Sequence, residues 1–106
     1  MGEIRWPWRR RAEPVPSPAD AASRVVILVR ERCGLCVEAA AVADEVCGAE
    51  GIRWETQDVD ADATLRRAYT DHVPVTFVDG ERLSYWGLDP QELRAALDRP
   101  RTHRTR

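Results

Sequence analysis

The sequence is short of most of what would assign it to a class at once. It has no lysine, so all 16 of its basic residues are arginine, and it has one phenylalanine and one methionine. No stretch approaches the roughly 20 apolar residues that a membrane span needs. Met1 to Pro18 contains no apolar run that could form the core of a secretion signal. Three cysteines are too few, and odd in number, for the disulfide framework of a small secreted domain. The net charge of −2 gives no global field for nucleic acid. Together these absences point to a soluble chain in a reducing cytoplasm, where a close cysteine pair serves catalysis or metal binding more often than structure.

What remains is globular. The chain has 106 residues, 43% hydrophobic and 32% charged, enough for one domain with one core. Residues 1–23 read as a flexible tail carrying four prolines and the run Arg9-Arg10-Arg11, with Trp6 and Trp8 beside it. Residues 24–99 form the expected domain, and residues 100–106 a basic C-terminal tail. Within the domain, Val25-Val26-Ile27-Leu28-Val29 suits a strand buried on both faces. An alanine-rich helix is expected from Cys33 to near Gly48, with that glycine as its cap. Ile52 to Asp58 alternates as a half-buried strand does, and Asp60 is placed to cap a short helix through Leu65, Ala68 and Tyr69. Val73 to Val78, Asp79-Gly80 and Glu81 to Trp86 predict a hairpin. Asp89-Pro90-Gln91-Glu92 opens a last helix with Leu93, Ala96 and Leu97 on one face. The order is β-α-β-α-β-β-α, with parallel strands in the first two units.

Cys33 and Cys36 stand at the first strand-to-helix junction. Three residues apart on one face of a first helical turn, their sulfurs are close enough to bridge. Unsatisfied amides and the helix dipole favour a thiolate there, so Cys33 is expected to ionise more readily than a free thiol and to attack a disulfide, with the deeper Cys36 resolving the product. Arg30 and Arg32 are nearby cations. A zinc site lacks a second cysteine pair, and Cys47 reads as a small buried hydrophobe. Pro74 opens a strand, where either an ordinary strand-entry proline or a cis peptide exposing Val73 to an extended substrate fits. His72 reads as a loop histidine, less often a group that tunes Cys33; Tyr85 and Trp86 read as sheet-packing residues.

These residues resemble the thioredoxin superfamily, and in particular its small bacterial glutaredoxin-like proteins. The resemblance covers Arg24 to about Arg99 and rests on Cys33-Gly34-Leu35-Cys36, on Val73-Pro74-Val75-Thr76-Phe77-Val78-Asp79-Gly80, and on Trp86-Gly87-Leu88-Asp89. It implies an α/β, thioredoxin-like fold: a four-stranded mixed sheet with flanking helices. It implies a cis Pro74, Cys33 as nucleophile and Cys36 as resolver of a thiol–disulfide oxidoreductase. It also implies substrate binding by Arg30, by the backbone of Val73 beside Pro74, and by Leu88 and Asp89 at the start of the last helix. The sequence departs from glutaredoxins at Gly34-Leu35, where Pro-Tyr is usual, at His72, where threonine is usual, and at Gly87, where a glycine pair is usual. No tightly bound cofactor is expected; a low-molecular-weight thiol, glutathione or an equivalent, would be the co-substrate. The expected partners are a disulfide-bearing protein or small-thiol mixed disulfide and a recycling reductase or thiol, acting on a monomer. Two other readings are an iron–sulfur cluster shared by a dimer through Cys33, and an adaptor with idle cysteines that works through its arginine-rich tails.

Overall fold

A computed structural model of the chain describes residue 18 and residues 23–99. The expected tails, with Trp6, Trp8 and the arginine run, lie almost wholly outside the described residues. Ser23, read from sequence as the end of the tail, is buried and donates to Glu55 Oε1 at 3.0 Å, so it packs as part of the domain.

The elements are β1 (Val25–Val29), α1 (Gly34–Glu50), β2 (Trp54–Asp58), a 3₁₀ turn (Val59–Ala61), α2 (Ala63–Tyr69), β3 (Val75–Val78), β4 (Glu81–Tyr85) and α3 (Pro90–Asp98). One sheet has the order β2-β1-β3-β4; β2 runs parallel to β1, and β3 and β4 are antiparallel to their neighbours. This is the four-stranded mixed sheet of the expected thioredoxin-like fold. β1 is central, and its alternation sorts the core into two layers. Val25 and Ile27 pack with α1 and α3 through Ala39, Ala43, Val46, Leu93 and Leu97. Val26 and Leu28 pack on the other face with Leu65 and Tyr69 of α2 and Phe77 of β3. That double burial is why β1 reads as an unbroken β-branched and aliphatic run.

Two caps differ from expectation. α1 runs on through Gly48 and stops at Gly51, whose φ of 69° is left-handed. Ile52 N–H reaches the Cys47 carbonyl at 2.9 Å and Gly51 N–H that of Gly48 at 3.3 Å, a Schellman closure. A mid-helix glycine costs about 1 kcal/mol, and α1 continues through Ala49 and Glu50 to the Gly51 cap. The cap of α2 is Asp62, which accepts from Thr64 N–H at 2.8 Å and Leu65 N–H at 3.0 Å. Asp60 is held in the preceding 3₁₀ turn, which the chain makes to bury Val59.

The hairpin forms as expected, with Asp79 at φ 53° and Gly80 at φ 86° bringing both central residues into the left-handed region. Arg24 locks this turn: Nε and Nη2 each meet an Asp79 carboxylate oxygen at 2.8 Å, and Nη2 also donates to the Leu97 carbonyl at 3.3 Å. Asp89 caps α3 by accepting from Gln91 N–H at 2.9 Å, with Pro90 in the first turn. No described helix is long and apolar enough to cross a membrane.

Candidate functional site

β1 ends at Val29, and a tight turn through Glu31 and Arg32 leads from that end of the central strand into α1. Arg32 carries φ 60°, a conformation that non-glycine residues adopt at a cost. The turn leaves Cys33 extended (φ −114°, ψ 108°) as the N-cap of α1, where its sulfur accepts the Cys36 N–H at 3.1 Å. A cysteine thus occupies the position that serine or aspartate usually fills, and its sulfur faces the positive end of the helix. Cys33 and Cys36 are joined as a disulfide with Cα atoms 5.2 Å apart. The pair is asymmetric: Cys33 is half-buried, whereas Cys36 is only 6% exposed. Leu35, between them, is 46% exposed.

Arg30, expected beside the thiolate, is already engaged. Its Nε and Nη2 fork onto Asp60 at 2.9 Å each, Nη1 donates to the Thr70 carbonyl at 2.7 Å, and Nη2 to Thr70 Oγ1 at 2.9 Å. The hydrogen bond from Arg30 holds the Asp60 carboxyl below the usual carboxylate range. Arg30 therefore ties the end of β1 to both ends of α2. Arg32 shows no ion pair among the described residues.

The Val73–Pro74 peptide is cis. Leu28 pairs with Val75; carried one residue further, that register sets Pro74 opposite Val29, at the strand end from which the Cys33 turn departs. Pro74 is buried and Val73 packs against the α2 layer. Leu88 is buried in the α1–α3 layer, so only its backbone is free to meet a ligand. Asp89 spends a carboxylate oxygen on its own helix.

The residues around Pro74 hold a feature that the sequence reading missed. Trp86 is not a sheet-packing residue: it is exposed, sits at φ 59°, and stacks on His72 with ring centroids 5.7 Å apart and planes 21° from parallel. Its indole N–H donates to the Asp71 carbonyl at 3.2 Å. His72 is half-buried between Trp86 and Tyr85, with a buried Nδ1 that has no hydrogen-bond partner, so it is a member of an aromatic stack rather than a solvated loop residue. The loops that lead into Pro74 and into α3 are thereby joined.

A cleft of about 480 Å³ opens on the other flank of the cysteines, between α1 and β2. Arg30, Cys33 and Cys36 border it; Val73, Pro74, Leu88 and Asp89 do not. The expected site residues thus fall into two neighbourhoods on either side of Cys33. Cys47 is fully buried, and burial pushes its thiol up from the ordinary value. Among the described residues, no cluster of three or more histidine, cysteine or carboxylate side chains is placed to hold a metal ion.

Comparison with known proteins matches residues 24–98 to the family described as glutaredoxin-like domain (DUF836). An uncharacterized protein of Mycobacterium tuberculosis is 36% identical over 81 residues, covering 72% of this chain and 84% of its own. Among solved structures, a structural-genomics target protein from X. campestris is 31% identical, with a TM-score of 0.60, covering 72% of this chain and 99% of that one. Protein Ne2328 from Nitrosomonas europaea is 28% identical, with a TM-score of 0.61, covering 78% of this chain and 94% of that one.

Proposed function

Because the chain belongs to the glutaredoxin-like domain (DUF836) family, we propose that it is a thiol–disulfide oxidoreductase in which Cys33 is the nucleophile and Cys36 the resolving thiol. The observation that carries this reading is the place of Cys33. Its sulfur is the N-cap acceptor of α1, at the positive end of the helix, and is more exposed than its partner. In the reduced protein the same amide and dipole favour the anion over the thiol, and the anion is the form that attacks.

The cycle begins with both cysteines reduced. Cys33 thiolate attacks one sulfur of a target disulfide; that S–S bond breaks, a Cys33–target mixed disulfide forms, and the departing thiolate takes up a proton. Cys36, having lost its proton to solvent or base, attacks Cys33 Sγ, giving the disulfide in which the two Cα atoms lie 5.2 Å apart. The target leaves as a second thiol, and the Cys33–Cys36 disulfide retains the two-electron oxidation. A low-molecular-weight thiol or a reductase returns the two electrons. For a small thiol, the groove beside cis-Pro74, with the Val73 backbone and the amides of Leu88 and Asp89, is the proposed binding place. Arg30, on the other flank, serves indirectly by tying the end of β1, from which the Cys33 turn departs, to Asp60 and Thr70.

Trapping tests the assignment. A Cys36→Ser variant incubated with a disulfide peptide is expected to accumulate one mixed disulfide, at Cys33, seen by mass spectrometry. Cys33→Ser is expected to accumulate none. An unreactive Cys36→Ser protein, or adducts at Cys47 alone, would overturn the mechanism.

A further inference from the structure

We propose that the cleft between α1 and β2 is a docking site for protein substrates, receiving an apolar side chain next to the target cysteine and pairing a nearby carboxylate with Arg32. The proposal rests on the oxidoreductase reading and names its substrate class: acidic, locally apolar polypeptide disulfides.

Helix chemistry is the first observation. A surface helix is normally apolar toward the core and polar toward water. The first ten residues of α1, Gly34 to Ala43, include a single charge, Glu38. Cys36, Ala39 and Ala43 are buried against the sheet, but the outward stripe is apolar as well, and Val37 is left 70% exposed. Gly34, Val37 and Ala40 follow at helical spacing and form one wall of the cleft; Val29 and Thr56 contribute the other. Its volume, about 480 Å³, lies within the roughly 300–1,000 Å³ of ordinary ligand sites.

Charge is the second. Among the described residues, those around the cleft include two arginines and no carboxylate, in a chain whose net charge is −2. The Arg30 charge is committed to Asp60. Arg32 is exposed and shows no ion pair among the described residues, so within them the cleft is bordered by one cation without a carboxylate partner. A carboxylate-bearing occupant complements it; a basic one does not.

Geometry selects a polypeptide. Cys33 borders the cleft, so a chain bonded to Cys33 enters it with its adjoining residue, one Cα step of about 3.8 Å away. The walls are largely aliphatic, which suits an apolar side chain better than a small hydrophilic thiol, and the residues proposed above for a small thiol, Val73, Pro74, Leu88 and Asp89, do not border the cleft. The transfer is the one set out above: the peptide disulfide is reduced to two thiols while Cys33 and Cys36 are oxidised, with no further reagent in a single turnover.

The test uses the pre-reduced full chain and symmetrical disulfides of four hexapeptides. They differ only in carrying Leu or Ser next to cysteine, and Glu or Lys at the following position. Single-turnover rates are read by acid quench, alkylation and mass spectrometry. Leu peptides are expected to react about tenfold faster than Ser peptides, and Glu peptides about threefold faster than Lys peptides. Val37→Ser should bring the Leu-to-Ser ratio toward one, and Arg32→Glu should invert the Glu-to-Lys ratio. Because each ratio is taken within one protein, a general change in Cys33 reactivity cancels. Equal rates for the four peptides, or ratios that neither substitution alters, overturn the docking site. Reduction of bis(2-hydroxyethyl) disulfide by the wild type separates the two readings: if neither it nor any peptide reacts, the oxidoreductase assignment falls. Docking is then decided by titrating a cysteine-free Leu-Glu hexapeptide into 15N-labelled protein. Shifts at Val37, Ala40 and Thr56 support it; no shifts, or shifts only elsewhere, overturn it.

Discussion

Replacing Arg24 by Met should weaken the fold and leave the thiol chemistry intact. Arg24 precedes β1, yet its guanidinium fork holds the β3–β4 turn through two bonds of 2.8 Å to Asp79 and reaches the last turn of α3 through the Leu97 carbonyl. A hydrogen bond to a charged group contributes about 1.5–3 kcal/mol when shielded. Here the side chains keep 24% and 14% of their exposure, so solvent screening brings the pair and its carbonyl bond to about 1–2 kcal/mol. Methionine preserves the aliphatic stem, so packing changes little. For a domain of this size that loss lowers Tm by roughly 5–15 °C. Urea melts of wild type, Arg24→Met, Asp79→Asn and the double variant give the coupling directly, and asparagine tolerates the left-handed backbone of position 79. The active turn leaves the far end of β1, five residues away at about 3.3 Å each, so single-turnover rates at 25 °C should match the wild type. A loss below about 0.5 kcal/mol, additive single effects, or a slowed thiol reaction would refute the reasoning.

Other positions offer sharper local tests. Thr76 is fully buried and its hydroxyl has no hydrogen-bond partner; Thr76→Val should therefore stabilise by about 1 kcal/mol, and a lower urea midpoint would contradict the account. An added Cβ at Gly51 meets nothing within 4 Å, so Gly51→Ala isolates the cost of φ 69°, about 1 kcal/mol by thermal melt; a neutral result would show that the Schellman cap tolerates alanine. Burial holds the Cys47 thiol above its ordinary value of 9.0. As pH rises the unfolded chain loses that proton first, so stability on this account is whole below the ordinary value and declines from there toward the raised one. The difference in unfolding free energy between wild type and Cys47→Ala should then shrink as pH rises past the ordinary thiol value of 9.0; a constant difference would count against it.

Much of the fold was legible because it is written locally. The β1 run, the Asp79-Gly80 turn and the Asp89-Pro90 helix start each depend on neighbours within four residues, and each stands where the sequence predicts it. The caps at Gly51 and Asp62 were missed because several glycines and aspartates were eligible. Burial of Val59 and continuation of α1 past Gly48 chose among them. In the site, the cysteine pair was readable from spacing, whereas the cis Pro74 followed from the family resemblance, since a strand-entry proline fits the same residues. Arg30 was visible as a cation, but its fork on Asp60 joins residues 30 positions apart. The apolar outward stripe of α1 was in the sequence too, as ten residues with one charge, and would have shown had the helix been read on its solvent face as well as its core face.

By itself, the sequence determined the order of elements, the two-sided burial of β1 and the cysteine pair at a helix start, because periodicity, turn propensity and capping act over a few residues. Tertiary structure alone decided which flank of Cys33 each remaining group occupies. Arg30 is turned from the thiol to Asp60, and Trp86 is held left-handed across His72. Val37 is left bare beside Thr56. Each outcome depends on which distant segment the fold brings alongside, and local propensity carries no information about that.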